Sequence, residues 1–214
     1  MRRYLFVMGI SILFTLSSCL TIMQSLITPD NIITDSRLEG LWSNSDSKSI
    51  RVQKFMDSKF KKMFAELKDD WKHTEKDSIF YSKLYVISLR EEDLVYTWLG
   101  GIVKIEDQYF LNLKPEDVLN DNEKEAHVEG LATSSIAKIE WGNDNSMILY
   151  FLNGEYIKEV ILNGKAQIKH EYDPLFGTFV ITASSRELEL FLRRYGSNQS
   201  LYKGGNTISL VRKM

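Results

Sequence analysis

The sequence predicts an α+β fold in which a mostly antiparallel curved sheet or open barrel carries three to four packed helices. The first observation is a series of about eight to ten short segments, rich in β-branched and aromatic residues and separated by turn signals. The second is a change to helical spacing in a few other segments. The third is the composition, because 214 residues with 43% hydrophobic and 26% charged residues suffice for one buried core.

The strand segments follow one another through short polar turns, which is typical of antiparallel pairing. Gly142 to Asn145 is a hairpin signal between two apolar runs. The glycine pair Gly100-Gly101 predicts a bulge or bend inside a strand. Strands are expected at 38–42, 50–55, 79–90, 94–99 continued at 102–105, 109–113, 136–141, 146–152, 167–172, 178–182 and 207–211, ten in all.

Helical signals are clearest at 184–195, where Ser184 and Glu187 form a capping box and Gly196 ends the pattern. A second helix is expected after Asn153, which can cap it. An amphipathic helix is expected at 56–71, packed either on its own sheet or on a partner. Pro115, followed by two acids, predicts the start of a further short helix.

The N-terminus has the order of features found in a secretion signal. Arg2 and Arg3 precede an apolar run at 4–16, which is too short to span a bilayer and fits the apolar region of a signal peptide. Leu16-Ser17-Ser18-Cys19 follows at once and resembles the lipobox of bacterial lipoproteins. The resemblance implies that the chain is cleaved before Cys19, which then carries fatty acyl chains. A conventional signal peptide and an uncleaved anchor are the alternatives.

These features divide the chain into a lipoprotein signal peptide at 1–18, a lipidated tether at 19–35 and a single α+β domain at 36–214. Two or three acyl chains suffice to hold a protein on a membrane. Leu20 follows Cys19, and by the sorting rules of lipoproteins it implies the outer membrane, with the domain facing the periplasm. The expected membrane partner is therefore reached through the lipid anchor.

Two family resemblances extend beyond the N-terminus. The stretches 103–115 and 181–195 resemble a group of uncharacterised bacterial lipoproteins and secreted proteins, although Asn112 stands where that group has an acid. Gly40-Leu41-Trp42 resembles the lipocalin Gly-x-Trp pattern, and Arg212 lies on the last predicted strand. Lipocalins pair such an arginine with that tryptophan at the base of the barrel. This resemblance implies an interior that holds one small apolar ligand.

The chain shows no recognisable catalytic, metal or cofactor pattern. Its histidines, His73, His127 and His170, have no metal-binding spacing, and His170 is interpreted as a rim or core residue. Cys19 is the sole cysteine, which excludes an internal disulfide. Nucleophile-elbow, P-loop and dinucleotide patterns are absent from the sequence. A net charge of −2 gives no basic footprint for nucleic acid.

The sequence therefore predicts a lipid-anchored bacterial envelope protein with a non-catalytic binding or structural role. The first alternative is a lipocalin-like carrier of a small apolar ligand, and the second is an envelope hydrolase with an unrecognised site. An apolar cavity open to solvent would favour the carrier. Converging ionisable groups in a polar cleft would favour the hydrolase, and a filled core beside an exposed apolar patch would favour a protein partner.

Overall fold

A computed structural model describes residues 20–44, 48–58, 75–91, 94–120, 125–126, 133–142 and 145–213. Within these residues there are three α-helices: α1 (Glu75–Ser82), α2 (Gly154–Leu162) and α3 (Ser185–Tyr195). The strands are β1 (Thr21–Ile22), β2 (Ile32–Ile33), β3 (Gly40–Ser43), β4 (Ser49–Lys54), β5 (Tyr85–Glu91), β6 (Leu94–Ile105), β7 (Gln108–Asn120), β8 (Glu125–Ala126), β9 (Ser135–Trp141), β10 (Ser146–Phe151), β11 (His170–Asp173), β12 (Thr178–Ile181) and β13 (Thr207–Arg212).

Eight of these strands form a closed antiparallel barrel. Each strand pairs with the strands that precede and follow it in the sequence of the eight. The order is β3, β4, β5, β6, β7, β9, β10 and β13. Val211 of β13 pairs with Ser43 of β3, and this contact closes the ring. The prediction of a sheet-rich antiparallel barrel is confirmed. The barrel is closed rather than open because the first and last strands of the set pair, which leaves no free edge between them.

Alternation along the strands separates the interior of the barrel from its outer wall. On β9, Ala137 and Ile139 belong to the interior cluster, whereas Ile136, directly before Ala137, belongs to the outer one. On β7, Leu111 faces inward and Phe110 faces outward, and both are buried. The outer wall on this side is therefore covered by a second layer of the protein.

The covering layer contains α2, α3 and a small sheet in which β12 lies between β1 and β11. Its apolar side chains pack around Phe110, which is fully buried. The helices form as predicted: the Asn153 side chain accepts from the Tyr156 N–H, and Ser184 and Glu187 make the reciprocal capping box. The capping residues thus determine where both helices begin, and the helices pack on the outer wall of the barrel.

Residues 20–35, predicted as a tether, pack as part of the domain. Ile22, Leu26 and Ile32 are buried, and β1 and β2 pair with β12 and β6. The Leu26 N–H donates to the Asn112 Oδ1 across 2.8 Å, and Asn112 is itself buried. An amide oxygen is needed there because it satisfies a backbone donor that has left water.

Three local predictions are corrected by the structure. The short helix at Pro115 is wrong, because β7 continues through it as far as Asn120. The strand expected from residue 79 begins only at Tyr85, since α1 occupies the residues before it. Gly100 and Gly101 are regular strand positions, and the register irregularity lies at Tyr96 and Trp98.

The glycine pair serves close packing instead of a bend. A Cβ on Gly100 would lie 2.8 Å from the Ile87 Cδ1, and one on Gly101 would lie 2.7 Å from the Ile27 Cδ1. The helix predicted at 56–71 lies almost wholly outside the described residues. Of that segment only 56–58 are described, and Met56 and Asp57 belong to a 3-10 turn that starts at Phe55.

Candidate ligand-binding cavity

A 3-10 turn, Ser36–Leu38, closes one end of the barrel. The Asp35 side chain caps it by accepting from the Arg37 N–H across 3.0 Å. Leu38 is buried in the interior cluster, and its carbonyl accepts a 2.8 Å hydrogen bond from the Trp42 indole N–H. The turn is thus fixed to the first barrel strand at the floor of the interior.

Arg212, near the end of the last barrel strand, lies over Trp42 with its Cζ 4.7 Å from the ring centroid. Its guanidinium also donates to the carbonyl of Arg37. Gly40 has φ +132°, and a Cβ at this position would lie 3.2 Å from the Arg212 Nη1. Glycine is therefore required beside the guanidinium, and the sequence pairing of Trp42 with Arg212 corresponds to a real contact.

Arg37 adds a second cationic contact at this end of the barrel. Its Cζ lies 4.5 Å from the Trp141 ring centroid and 5.5 Å from that of Tyr109. Its Nη2 lies 2.6 Å from the Asp35 Oδ2. The hydrogen bond from Arg37 holds the pKa of the Asp35 carboxyl below its ordinary value of 3.8, although partial burial opposes this.

Tyr85 joins this end of the barrel to β5 from within. Its hydroxyl accepts from the Asp35 N–H across 2.8 Å and donates to the Asp35 carbonyl across 3.1 Å. Tyr85 is fully buried, and burial raises the pKa of its phenol above 10.0. The floor is therefore held by two aromatic side chains, Trp42 and Tyr85, each hydrogen-bonded to the chain around the 3-10 turn.

Above this floor the barrel encloses an apolar cavity of about 310 Å³. Every strand of the barrel contributes to the lining except β3, whose place is taken by Leu38. The lining residues are Leu38, Ile50, Val52, Ile87, Leu89, Tyr96, Trp98, Leu111, Leu113, Ser135, Met147, Leu149, Phe151, Ile208 and Leu210.

The lining grades from buried to partly exposed. Leu38, Met147 and Leu210 are each at most 2% exposed, whereas Trp98 and Phe151 are half-buried. No charged side chain lines the cavity among the described residues, and the polar groups are those of Ser135, Tyr96 and Trp98. A concave apolar site with few polar groups is the usual setting for a small-molecule ligand. This site suits an uncharged apolar molecule.

The sequence candidates lie in several places. Cys19, His73 and His127 fall outside the described residues. His170 lies on the small outer sheet, where its ring is 5.2 Å from that of Phe179 and its Nδ1 is 2.9 Å from the Ile168 carbonyl oxygen. The sequence predicts a rim or core residue at this position, and His170 is half-buried on this sheet. The described residues contain no group of three His, Cys, Asp or Glu arranged to hold a metal ion.

Sequence reasoning did not identify the cavity residues as a site. Trp98, within the strand predicted at 94–99, lies in the cavity lining. A signal was available in the 79–90 segment, where Ile87 and Leu89 share one side of a strand, and both line the cavity. The same pattern describes a filled core, so the empty volume could be found only once the barrel was closed.

The fold and the site define a class: an antiparallel up-and-down barrel with a plugged floor and an apolar interior. No protein-family model, no curated protein and no solved structure matches this chain. Among the described residues, none of the helices is long and apolar enough to cross a bilayer.

The closed end is expected to weaken in acid. The pKa of Asp35 is lowered in the folded state. Its ionised form therefore stabilises the fold above the unfolded value near 3.8, and this contribution is lost as the pH falls through the folded pKa. We expect the urea concentration at the unfolding midpoint to decrease when the pH is lowered below about 4. The decrease should be smaller in Asp35→Asn. Glu187→Gln is a second test of the same rule away from the closed end, because hydrogen bonds from Ser184 also lower the pKa of Glu187 on α3. An unchanged acid limb in Asp35→Asn would contradict this prediction.

Proposed function

We propose that this protein is a lipid-anchored envelope protein whose barrel binds one small apolar ligand. The observation that carries the proposal is the apolar cavity above the plugged floor. A filled interior would have favoured a structural role instead. Unfilled apolar volume loses packing contacts and is retained at a cost in stability, which a bound apolar molecule would recover.

The chemistry of the lining limits the ligand class. Its volume of about 310 Å³ lies at the low end of small-molecule sites, which favours a single compact molecule or one acyl chain. Both nearby arginines, Arg37 and Arg212, are engaged below the floor with Asp35 and Trp42. A buried anion would find no cation in the lining, so a charged head group would have to remain at the mouth.

Binding is favoured over hydrolysis by the same residues. Acid–base and nucleophilic chemistry needs ionisable groups that converge on one point. The described cavity lining has none, and its hydroxyls belong to Ser135 and Tyr96 without a charged lining neighbour. The hydrolase alternative therefore has no support from this cavity.

The anchor half of the proposal rests on the sequence at Cys19. Metabolic labelling with a radioactive fatty acid is expected to label the wild-type protein and not Cys19→Ala. Two or three acyl chains account for stable attachment, since each buried CH₂ contributes about 0.8 kcal/mol. Fractionation is expected to place the wild type with the outer membrane. Equal label in the two proteins would refute the anchor and leave the cavity proposal untouched.

The cavity half is tested by filling the mouth. Ser135→Phe places a ring into the interior, whereas Thr207→Phe adds the same bulk at an exposed position on β13. We expect N-phenyl-1-naphthylamine to fluoresce with the wild type and with Thr207→Phe. Affinity should fall about tenfold or more in Ser135→Phe, a loss of about 1.4 kcal/mol, because the ring occupies volume that the probe would fill.

Circular dichroism of both variants checks that the fold is retained. Equal affinity in Ser135→Phe and the wild type would place the probe outside the barrel and contradict the proposal. Native mass spectrometry of the detergent-extracted protein complements the titration. A bound apolar molecule that is lost in Ser135→Phe would identify the ligand class directly.

A further inference from the structure

The turn between β11 and β12 presents two apolar side chains to solvent. Leu175 is 83% exposed and Phe176 is 79% exposed, more than any other large apolar side chain in the described part of the chain. Adjacent Leu and Phe with this exposure are unusual on a protein surface that meets only water. We therefore define this pair as the apolar tip.

The conformation of the turn holds the apolar tip outward. The Asp173 Oδ1 accepts from the Leu175 N–H across 2.8 Å and from the Phe176 N–H across 3.3 Å. Gly177 has φ +66°, a conformation that favours glycine, and it returns the chain to β12. The exposure thus belongs to a specified hairpin turn.

The described chain begins at the same side of the domain as the apolar tip. β1 is parallel to β12, and Thr21 pairs with Val180. Going backwards along β1 therefore leads in the direction of Phe176. Continued by one residue, this register sets Leu20 opposite Phe179. Phe176 is three residues before Phe179 along the chain, a span of at most roughly 10 Å. Acyl chains on the preceding residue would be attached on the side of the apolar tip.

The residues behind the apolar tip suit the interface between water and lipid. Tyr172 is 39% exposed. The Lys158 Nζ lies 5.2 Å from the centre of the Tyr172 ring and 3.2 Å from the Gly177 carbonyl oxygen. Aromatic rings and lysine are side chains that lie at head-group level beneath an inserted apolar residue. Of the nearby acids, Asp173 is engaged in the turn and Glu171 is exposed on β11.

We propose that the apolar tip inserts into the leaflet of the membrane that carries the chain and thereby orients the domain on it. Two apolar side chains alone give weak, reversible binding, so insertion depends on a tether near Leu20. The inference therefore rests on the anchor half of the proposed function and not on the cavity. A protein partner for the apolar tip is the competing outcome of the test below.

The test uses the full chain on vesicles of phosphatidylcholine and phosphatidylethanolamine that contain a phospholipid brominated near the top of its acyl chains. Phe176→Trp places a reporter in the apolar tip. Val211→Trp is the matched control, because Val211 is 55% exposed on the barrel wall. Where mass spectrometry shows acyl chains at Cys19, these tether the protein. Where it shows a bare thiol, the thiol is coupled to a maleimide phospholipid, so the chain is tethered in both cases.

We expect the emission added by Phe176→Trp to shift to the blue and to lose roughly half or more of its intensity to the bromines. An interfacial segment lies about 5–10 Å into the boundary between head groups and acyl chains. The emission added by Val211→Trp should be unaffected. Leu175→Asp in the Phe176→Trp background should restore the emission on vesicles, while N-phenyl-1-naphthylamine binding, measured without vesicles, stays unchanged.

Equal quenching at positions 176 and 211, or none at 176, would overturn membrane insertion and favour a protein partner. A bare thiol with strong quenching at position 176 would refute the native anchor and support insertion. A loss of probe binding in an otherwise quenched protein would contradict the cavity proposal alone. The three proposals therefore fail separately.

Discussion

Replacement of Trp42 by alanine is expected to lower the free energy of unfolding by about 3–5 kcal/mol, the usual cost of truncating a large buried aromatic residue. Trp42 is 1% exposed, donates to the Leu38 carbonyl and lies beneath the Arg212 guanidinium. Its loss removes the wall against which the 3-10 turn is fixed. Urea denaturation followed by circular dichroism measures the change.

Trp98→Ala is the matched control, because Trp98 also faces the interior but is half-buried at the cavity lining. We expect a smaller loss of stability and a larger loss of probe affinity, since Trp98 contributes a cavity wall rather than the floor. The reverse order, with Trp98→Ala the less stable of the two, would show that the floor is not the stabilising end of the barrel.

Phe110→Ala is the second substitution with a large expected effect, again about 3–5 kcal/mol. Phe110 is fully buried on the outer face of β7, where the barrel meets the layer that contains α2 and α3. The alanine variant leaves a cavity between the two layers. Phe110 attaches the outer layer to the barrel, whereas the barrel is closed by its own strand pairing. We therefore expect the outer layer to unfold before the barrel in this variant.

Lys114→Ala provides the control on the same strand, since Lys114 is exposed and its replacement should change stability by at most about 0.5 kcal/mol. Hydrogen exchange of amides in α3 and β9 separates the two layers in Phe110→Ala. Equal protection in α3 and β9, at an unchanged urea midpoint, would mean that the layers do not depend on this side chain.

Together these substitutions relate stability to the proposed function. The floor that contains Trp42 closes one end of the barrel. The layer attached through Phe110 carries the small sheet, and with it the apolar tip and the start of the described chain at Leu20. The proposed ligand site and the proposed membrane contact therefore lie on opposite sides of the same barrel wall, one inside it and one outside.

Local chemistry determined the elements that the sequence predicted well. The hairpin of β9 and β10 follows from alternation around a glycine-containing turn, and α3 follows from the capping box of Ser184 and Glu187. These signals act within a few residues, so they can be recognised without a partner strand.

Longer-range packing overrode local preference elsewhere. Pro115 has the features of a helix start, yet it lies in β7 and pairs with Trp98 of β6, beside the register irregularity, where a strand tolerates a residue without an N–H. The segment 20–35 has no period of its own, and it is ordered by pairing with β6 and β12 and by the Asn112 side chain. Neither outcome is encoded within the segment concerned.

By itself the sequence determined the antiparallel sheet-rich class and the two capped helices. It also placed Trp42 on the first predicted strand and Arg212 on the last. Only the tertiary structure decided that the barrel closes, that Arg212 contacts Trp42, which precedes it by 170 positions in the chain, and that the interior stays partly empty. Alternating apolar residues specify which face is buried. Whether that face meets other side chains or an open volume depends on the curvature and closure of the sheet, which no single strand contains.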